Sequence, residues 1–91
     1  MSGSEPGWEL YRTFLAVVRE GSLSGAARAL GLTQPTVGRH VDALERALGM
    51  SLFLRTQQGL SPTEAALSLR PFAESLEATS AALLRAASSQ G

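Results

Sequence analysis

The chain has no cysteine, no lysine and a single histidine, and no apolar run approaches the length of a membrane span. Each absence removes a class of function. Without cysteine there is no disulfide framework and no thiolate metal site. His40 alone cannot build a metal cluster, and no cofactor is expected. Catalysis needs a nucleophile, a base and a pocket, and the scattered acids fit helix surfaces and ends, so an enzyme is not expected. The N-terminus lacks a basic flank followed by an apolar core. A cytoplasmic location with no membrane partner is the resulting expectation. A charge excess is missing too. Eight basic and eight acidic residues cancel to zero, whereas nucleic-acid binders usually carry a basic surplus. All eight basic residues are arginine, the side chain suited to bidentate recognition of phosphates and bases. Genome composition alone also produces such a chain. Electrostatic affinity of one copy is therefore expected to be modest, with dimerisation needed to raise it.

What is present fits one folded domain: 91 residues, 44% hydrophobic and 18% charged. The organising stretch is Ser22 to Gly49, SLSGAARALGLTQPTVGRHVDALERALG. Ser22 is a candidate N-cap for a short helix over Leu23 to Leu30. Gly31 closes that helix, since glycine adopts the left-handed conformation without a Cβ penalty. Leu32 is an apolar residue available to plug the angle between two helices. Thr33 caps a second helix to about Leu48, with Pro35 in its first turn, where proline loses no hydrogen bond. A short helix, a tight turn with glycine and a longer helix make a helix-turn-helix.

At 100° per residue, Val37, Val41, Leu44 and Leu48 share the inner face of the second helix. Arg39 lies opposite, with Pro35, Asp42 and Arg46 beside it and His40 near the boundary. The exposed N-terminal half offers Gln34, Pro35, Thr36 and Arg39. Recognition helices read base edges with these early residues. Gln bonds bidentately to adenine, Arg to guanine, and a Thr methyl meets the thymine methyl. An amphipathic helix pair in a small all-α domain is the plainer alternative. Asp42 and Arg46 have the spacing of a surface ion pair.

Met1 to Gly7 is Ser/Gly/Pro-rich and expected to be flexible. Trp8 to Glu20 reads as the first helix, with Leu10, Phe14, Val17 and Val18 on one face and Tyr11 and Leu15 widening it. Leu52 to Thr56 has strand composition, Gln57 to Gly59 is a turn, and Leu60 to Pro62 returns as an edge strand that tolerates proline. A hairpin directly after a helix-turn-helix is a wing, from which Arg55, Gln57, Gln58 and Ser61 can reach phosphates or a minor groove. Thr63 caps a last helix over about 64 to 87, which Pro71 should kink. Leu69, Phe72, Leu76, Thr79, Leu83 and Ala86 follow alternating three- and four-residue steps, a heptad-like seam. The seam packs either on a twin from a second chain or back on its own domain. The compact winged unit has a core of its own, which favours the twin. The resulting division is a flexible segment at 1–7, a winged unit at 8–62, a linker helix at 63–87 and a tail at 88–91.

Residues from about Leu10 to Ala65 resemble the N-terminal DNA-binding domain of LysR-type transcriptional regulators. The matching series is GS-x-x-x-AA-x-x-L, TQP-x-x-x-R, LE-x-x-LG, LF-x-R and TEA. The resemblance implies a mainly α fold, a winged helix-turn-helix followed by a long helix that pairs two subunits. It implies a bacterial regulator that binds a partly palindromic site in double-stranded DNA as a dimer or tetramer. A small-molecule inducer would bind only a C-terminal domain that this stretch does not include. Gln34, Pro35 and Arg39 match positions that touch the major groove, and Thr33 and Thr36 match neighbours at the helix start. Arg55 matches the wing arginine near the backbone, Ser24 a hydroxyl that reaches phosphate, and Gln58 the wing tip. Leu69, Phe72, Leu76 and Leu83 would line the subunit contact. Three positions depart from the pattern: Gly38 for a usual serine, Gln58 for a basic residue, and Pro62 for an apolar one. These departures imply weaker non-specific binding. Two other readings stay open: a dimeric winged-helix regulator without a sensor, and a winged-helix module for protein association.

Overall fold

The computed structural model describes residues 5–90. The part of the expected flexible segment at 1–4 lies outside the described residues, as does Gly91. The elements run α1 (Trp8–Glu20), α2 (Leu23–Leu30), α3 (Gln34–Leu48), β1 (Phe53–Thr56), β2 (Gly59–Pro62) and α4 (Glu64–Gln90). The fold is a mainly α winged helix-turn-helix with a long C-terminal helix.

Local chemistry sets the helix ends. The Ser22 hydroxyl accepts from the Gly25 N–H at 3.0 Å, Thr33 from Thr36 at 3.3 Å and Thr63 from Ala66 at 3.1 Å. Each bond satisfies an amide that has no partner inside its helix. Gly21, Gly31 and Gly49 end the first three helices in left-handed conformation. Leu32 is 38% exposed. It contributes its N–H to the Ala27 carbonyl at 3.0 Å instead of plugging the inter-helix angle. The closing bond places Leu32 one residue past the glycine, where its side chain turns outward.

α1 is the central packing element. Thr13 to Val17 are all buried, so the helix is covered around most of its girth. Val37, Val41 and Leu44 of α3 meet it, joined by Ala26 and Ala27 of α2. The small side chains of α2 permit close helix approach. The one buried polar side chain among the described residues, Thr13, donates to the Glu9 carbonyl at 3.0 Å. Its single hydroxyl hydrogen is thereby used, so His40 Nδ1 donates to it at 2.8 Å. This pair ties α1 to the middle of α3.

Glu45 fixes the connection from α3 to the wing. Its carbonyl accepts from Gly49 and Met50, and its carboxylate accepts from the Leu52 N–H at 2.7 Å and the Phe53 N–H at 3.3 Å. The strands pair antiparallel, with Phe53 opposite Pro62 and Thr56 opposite Gly59. Pro62 occupies the last position of the edge strand, as its missing N–H requires. Phe53 packs on Phe14 with ring centroids 5.8 Å apart. The far end of the wing is held at Gly59, which has φ +133°. A Cβ there would collide with the Gly21 carbonyl oxygen, and that same oxygen accepts the Leu60 N–H at 3.0 Å.

α4 extends beyond its expected end. It runs from Glu64 to Gln90 with Pro71 inside it, so 88–90 belong to the helix rather than to a tail. No glycine or second proline interrupts this Ala/Ser-rich stretch before Gly91. The seam is also split. Ala66 and Ala73 are buried and Leu69 packs on the domain core, so the first half of α4 folds back on its own chain. Leu69 is half-buried against that core and also lines the groove that Phe72 and Leu76 border. The two alanines let α4 lie close on α1. Beyond that point the helix projects: residues 81–90 are all exposed. Its 27 residues span about 40 Å, which accounts for most of the 48 Å long axis. No helix among the described residues is long and apolar enough to cross a membrane.

Candidate nucleic-acid interface

Gln34, Pro35 and Arg39 are exposed on the outer face of α3, as is Ser24 at the start of α2. Thr33 is exposed as the N-cap, and Thr36 is half-buried beside it. The three α3 hydroxyl and guanidinium groups form one chain. Thr33 Oγ1 donates to Thr36 Oγ1 at 2.9 Å, and Arg39 Nη2 donates to the same Thr36 oxygen at 3.0 Å. The N-cap and the arginine one turn later thus share a threonine.

Arg55 projects from β1, opposite Leu60 in register. It lines a cleft with Ser22, Ser24, Gln34 and Gly59. The structure thereby brings Ser24, Gln34 and Arg55 together from three different elements. Arg55 also lines a second crevice, between α3 and the wing, with Gly38, Asp42 and Glu45. Gln58 stands apart. It lies in the hairpin turn and borders a shallow depression with Glu20, Gly21 and Ser61 on the other side of the wing. Its N–H is taken by Thr56 Oγ1 at 3.2 Å.

The zero net charge is unevenly spread. Arg19 makes a two-pronged contact to Glu77 at 2.8 and 2.9 Å and approaches Glu74 at 3.8 Å. Arg70 pairs with Glu74 at 3.1 Å. The Arg19 contacts join α1 to α4, and the Arg70 pair lies within α4. The hydrogen bond from Arg19 holds the Glu77 carboxyl below its ordinary range, and the same bond raises the Arg19 guanidinium. Among the described residues, Arg28, Arg39, Arg46 and Arg55 have no ion-pair partner. Asp42 and Arg46 do not close the pair that their spacing allows. A single exposed pair gains too little to hold two mobile side chains. Among the described residues, Arg19 and Arg70 are thus neutralised beside α4, whereas Arg28, Arg39, Arg46 and Arg55 on α2, α3 and the wing are not, nor are Arg12 on α1 and Arg85 near the end of α4.

No group of three or more metal-ligating side chains occurs among the described residues. An apolar groove lies beside α4, lined by Tyr11, Leu48, Leu69, Phe72 and Leu76. Phe72 is 71% exposed, Leu83 67% and Leu84 66%. Of the four residues expected at a subunit contact, Phe72, Leu76 and Leu83 are exposed and Leu69 is half-buried.

Glu45, His40, Thr13 and Gly59 carry structural roles that pattern reading did not assign. Glu45 had one signal: an acid in the last turn of a helix opposes the helix dipole, so another partner had to hold it.

A family model described as "Bacterial regulatory helix-turn-helix protein, lysR family" matches residues 8–67. The chain is similar to a putative HTH-type transcriptional regulator protein, PtxE, of Stutzerimonas stutzeri. The two are 45% identical over 65 residues, which cover 71% of this chain and 33% of that protein. An uncharacterized HTH-type transcriptional regulator of Mycobacterium bovis is 40% identical over 76 residues, covering 84% of this chain and 24% of that one. The chain thus spans a third or less of these curated relatives. Among solved structures, the BenM_DBD/benA site 1 DNA complex superposes with a TM-score of 0.83 at 26% identity, covering 93% of this chain and 99% of that one. The oxidized form of Corynebacterium glutamicum OxyR gives 0.88 at 30% identity, over 92% of this chain and 27% of that one.

Proposed function

The chain belongs to the lysR family of bacterial regulatory helix-turn-helix proteins, and from that premise we propose that it reads a specific sequence in double-stranded DNA as part of a transcription regulator. The observation that carries this reading is the uncompensated face. Gln34, Pro35 and Arg39 stand exposed at the N-terminal half of α3, with Ser24 and Arg55 beside them. In this reading α3 enters the major groove. Arg39 takes a guanine edge and Gln34 an adenine edge. Ser24 and Arg55 hold phosphates and set the register, since backbone contacts position the protein and base contacts specify the sequence. Gln58, on the far side of the wing, approaches the backbone or minor groove without a charge.

The same proposal assigns dimerisation to α4, through Phe72, Leu76 and Leu83, with a partly palindromic site as its counterpart and a tetramer as a further assembly. Leu69, half-buried in the same groove, borders that surface. The exposed leucines of the projecting half support this assignment. No cofactor is proposed for these residues, and inducer sensing is left to the part of full-length relatives that they do not span. A regulator of this kind acts in the cytoplasm.

Salt dependence tests the reading. Binding of a labelled duplex, followed by fluorescence anisotropy, should weaken linearly in log–log form as salt rises, with a slope of about −0.9 per neutralised phosphate. Absence of duplex binding at low salt, or affinity indifferent to salt, would favour the protein-association module instead.

A further inference from the structure

Thr36 joins the α3 cap Thr33 to Arg39. Its oxygen accepts from Thr33 at 2.9 Å and from Arg39 Nη2 at 3.0 Å, while its own N–H is held by Thr33 Oγ1 at 3.3 Å. We propose that Thr36 is a positioning residue for base readout: held by the cap, its hydroxyl sets the direction of the Arg39 guanidinium before DNA arrives. The proposal deepens the DNA-binding reading above and rests on it.

The physical need is clear from the neighbours. Arginine loses much rotamer freedom when it is immobilised, and a side chain already oriented gives up less on binding. Gly38, the residue before the arginine, has no side chain with which to steer it. The space is open there, since a Cβ at Gly38 would find only the Leu23 Cδ1 atom within 4 Å, at 3.9 Å. Among the described residues no carboxylate pairs with Arg39, so its anchor is a neutral hydroxyl. A neutral anchor leaves the charge uncompensated. It occupies one hydrogen of Nη2 and leaves the remaining guanidinium donors for a fork onto guanine O6 and N7. The alternative role for Thr36 is a methyl contact with thymine, made on its own account. The two roles predict opposite behaviour of two conservative variants.

Thr36→Val keeps the branching and removes the hydroxyl, and its N–H is still capped by Thr33. Thr36→Ser keeps the hydroxyl and drops the methyl. The base pair to watch is the one at which Arg39→Ala stops discriminating. Competition between duplexes differing only there should show Thr36→Val losing about three- to tenfold in preference, the scale of one hydrogen bond. Thr36→Ser should stay within about twofold of the unsubstituted chain. Adding Thr36→Val to Arg39→Ala should change nothing further. Thermal midpoints of both Thr36 variants should match the parent closely, which separates readout from folding. Unchanged preference in Thr36→Val, equal losses in Val and Ser, or an additive loss in the double variant would each overturn the proposal while leaving DNA binding intact. If the unsubstituted chain discriminates at no base pair, the DNA reading itself falls and the proposal falls with it.

Discussion

Gly38 shows how a single position trades helix stability against what stands on the recognition face. It lies inside α3 without a special backbone angle, and the space beside it is open. Glycine inside a helix costs about 1 kcal/mol relative to alanine. Gly38→Ala should therefore raise the thermal midpoint by roughly 4–8 °C in a domain of this size, read by calorimetry. Glu45 makes the opposite case. Glu45→Ala leaves the Leu52 and Phe53 N–H groups without their partner and should cost about 1–3 kcal/mol in urea unfolding. Glu45→Gln retains an acceptor but loses the charge assistance, so it should fall between parent and alanine variant. These two residues were unequally legible. The caps at Ser22, Thr33 and Thr63 depend on neighbours three residues away, so local sequence reveals them. The partners of Glu45 lie seven and eight residues on, and their approach depends on how the connector folds. Thr13 was hidden for a related reason: its partner His40 belongs to another helix.

At the level of elements, helix boundaries and the wing were readable because glycines and threonines mark them. The hairpin lies where it is expected, with β1 starting one residue later and β2 one residue earlier. α4 was less legible. A three-and-four spacing marks an apolar stripe but does not say which body covers it. Its first half meets α1, where Ala66 and Ala73 permit close contact, and its last ten described residues are all exposed. Leu83→Ser should therefore leave the fold and thermal midpoint nearly unchanged while lowering self-association in analytical ultracentrifugation. A parent chain that stays monomeric at high concentration, or a variant that associates equally well, would remove α4 from the subunit contact.

The α1–α4 clamp carries a pH dependence. Arg19 holds the Glu77 carboxyl below its ordinary range. A depressed carboxyl contributes stability that is fully present above its ordinary titration range and is lost as pH falls through its folded value. The raised Arg19 guanidinium stays charged throughout this window and adds no slope there. Both side chains are about 40% exposed, so solvent screening keeps the effect small. Glu77→Gln should flatten part of the acid limb of urea stability between neutral pH and about pH 3. An acid limb identical to that of the parent would mean that the clamp contributes nothing.

Over the whole molecule, charge is unevenly paired rather than absent. Among the described residues, Arg19 and Arg70 are neutralised beside α4, whereas the arginines of α2, α3 and the wing, together with Arg12 and Arg85, are not. Composition reports only the sum, which is why a neutral chain looked like a weak candidate for nucleic acid. In the proposed reading, the exposed face of α3 with Arg55 meets DNA, while the last ten described residues of α4 are open to solvent. The most direct test of that arrangement is selection from a random duplex library at low salt, run in parallel with the parent chain and with Arg39→Ala. The parent should enrich an inverted repeat. The variant should lose about 1–3 kcal/mol of discrimination at one base pair in each half-site. No enrichment by the parent, or the same consensus from both chains, would contradict the assignment of α3 and Arg39 to base readout.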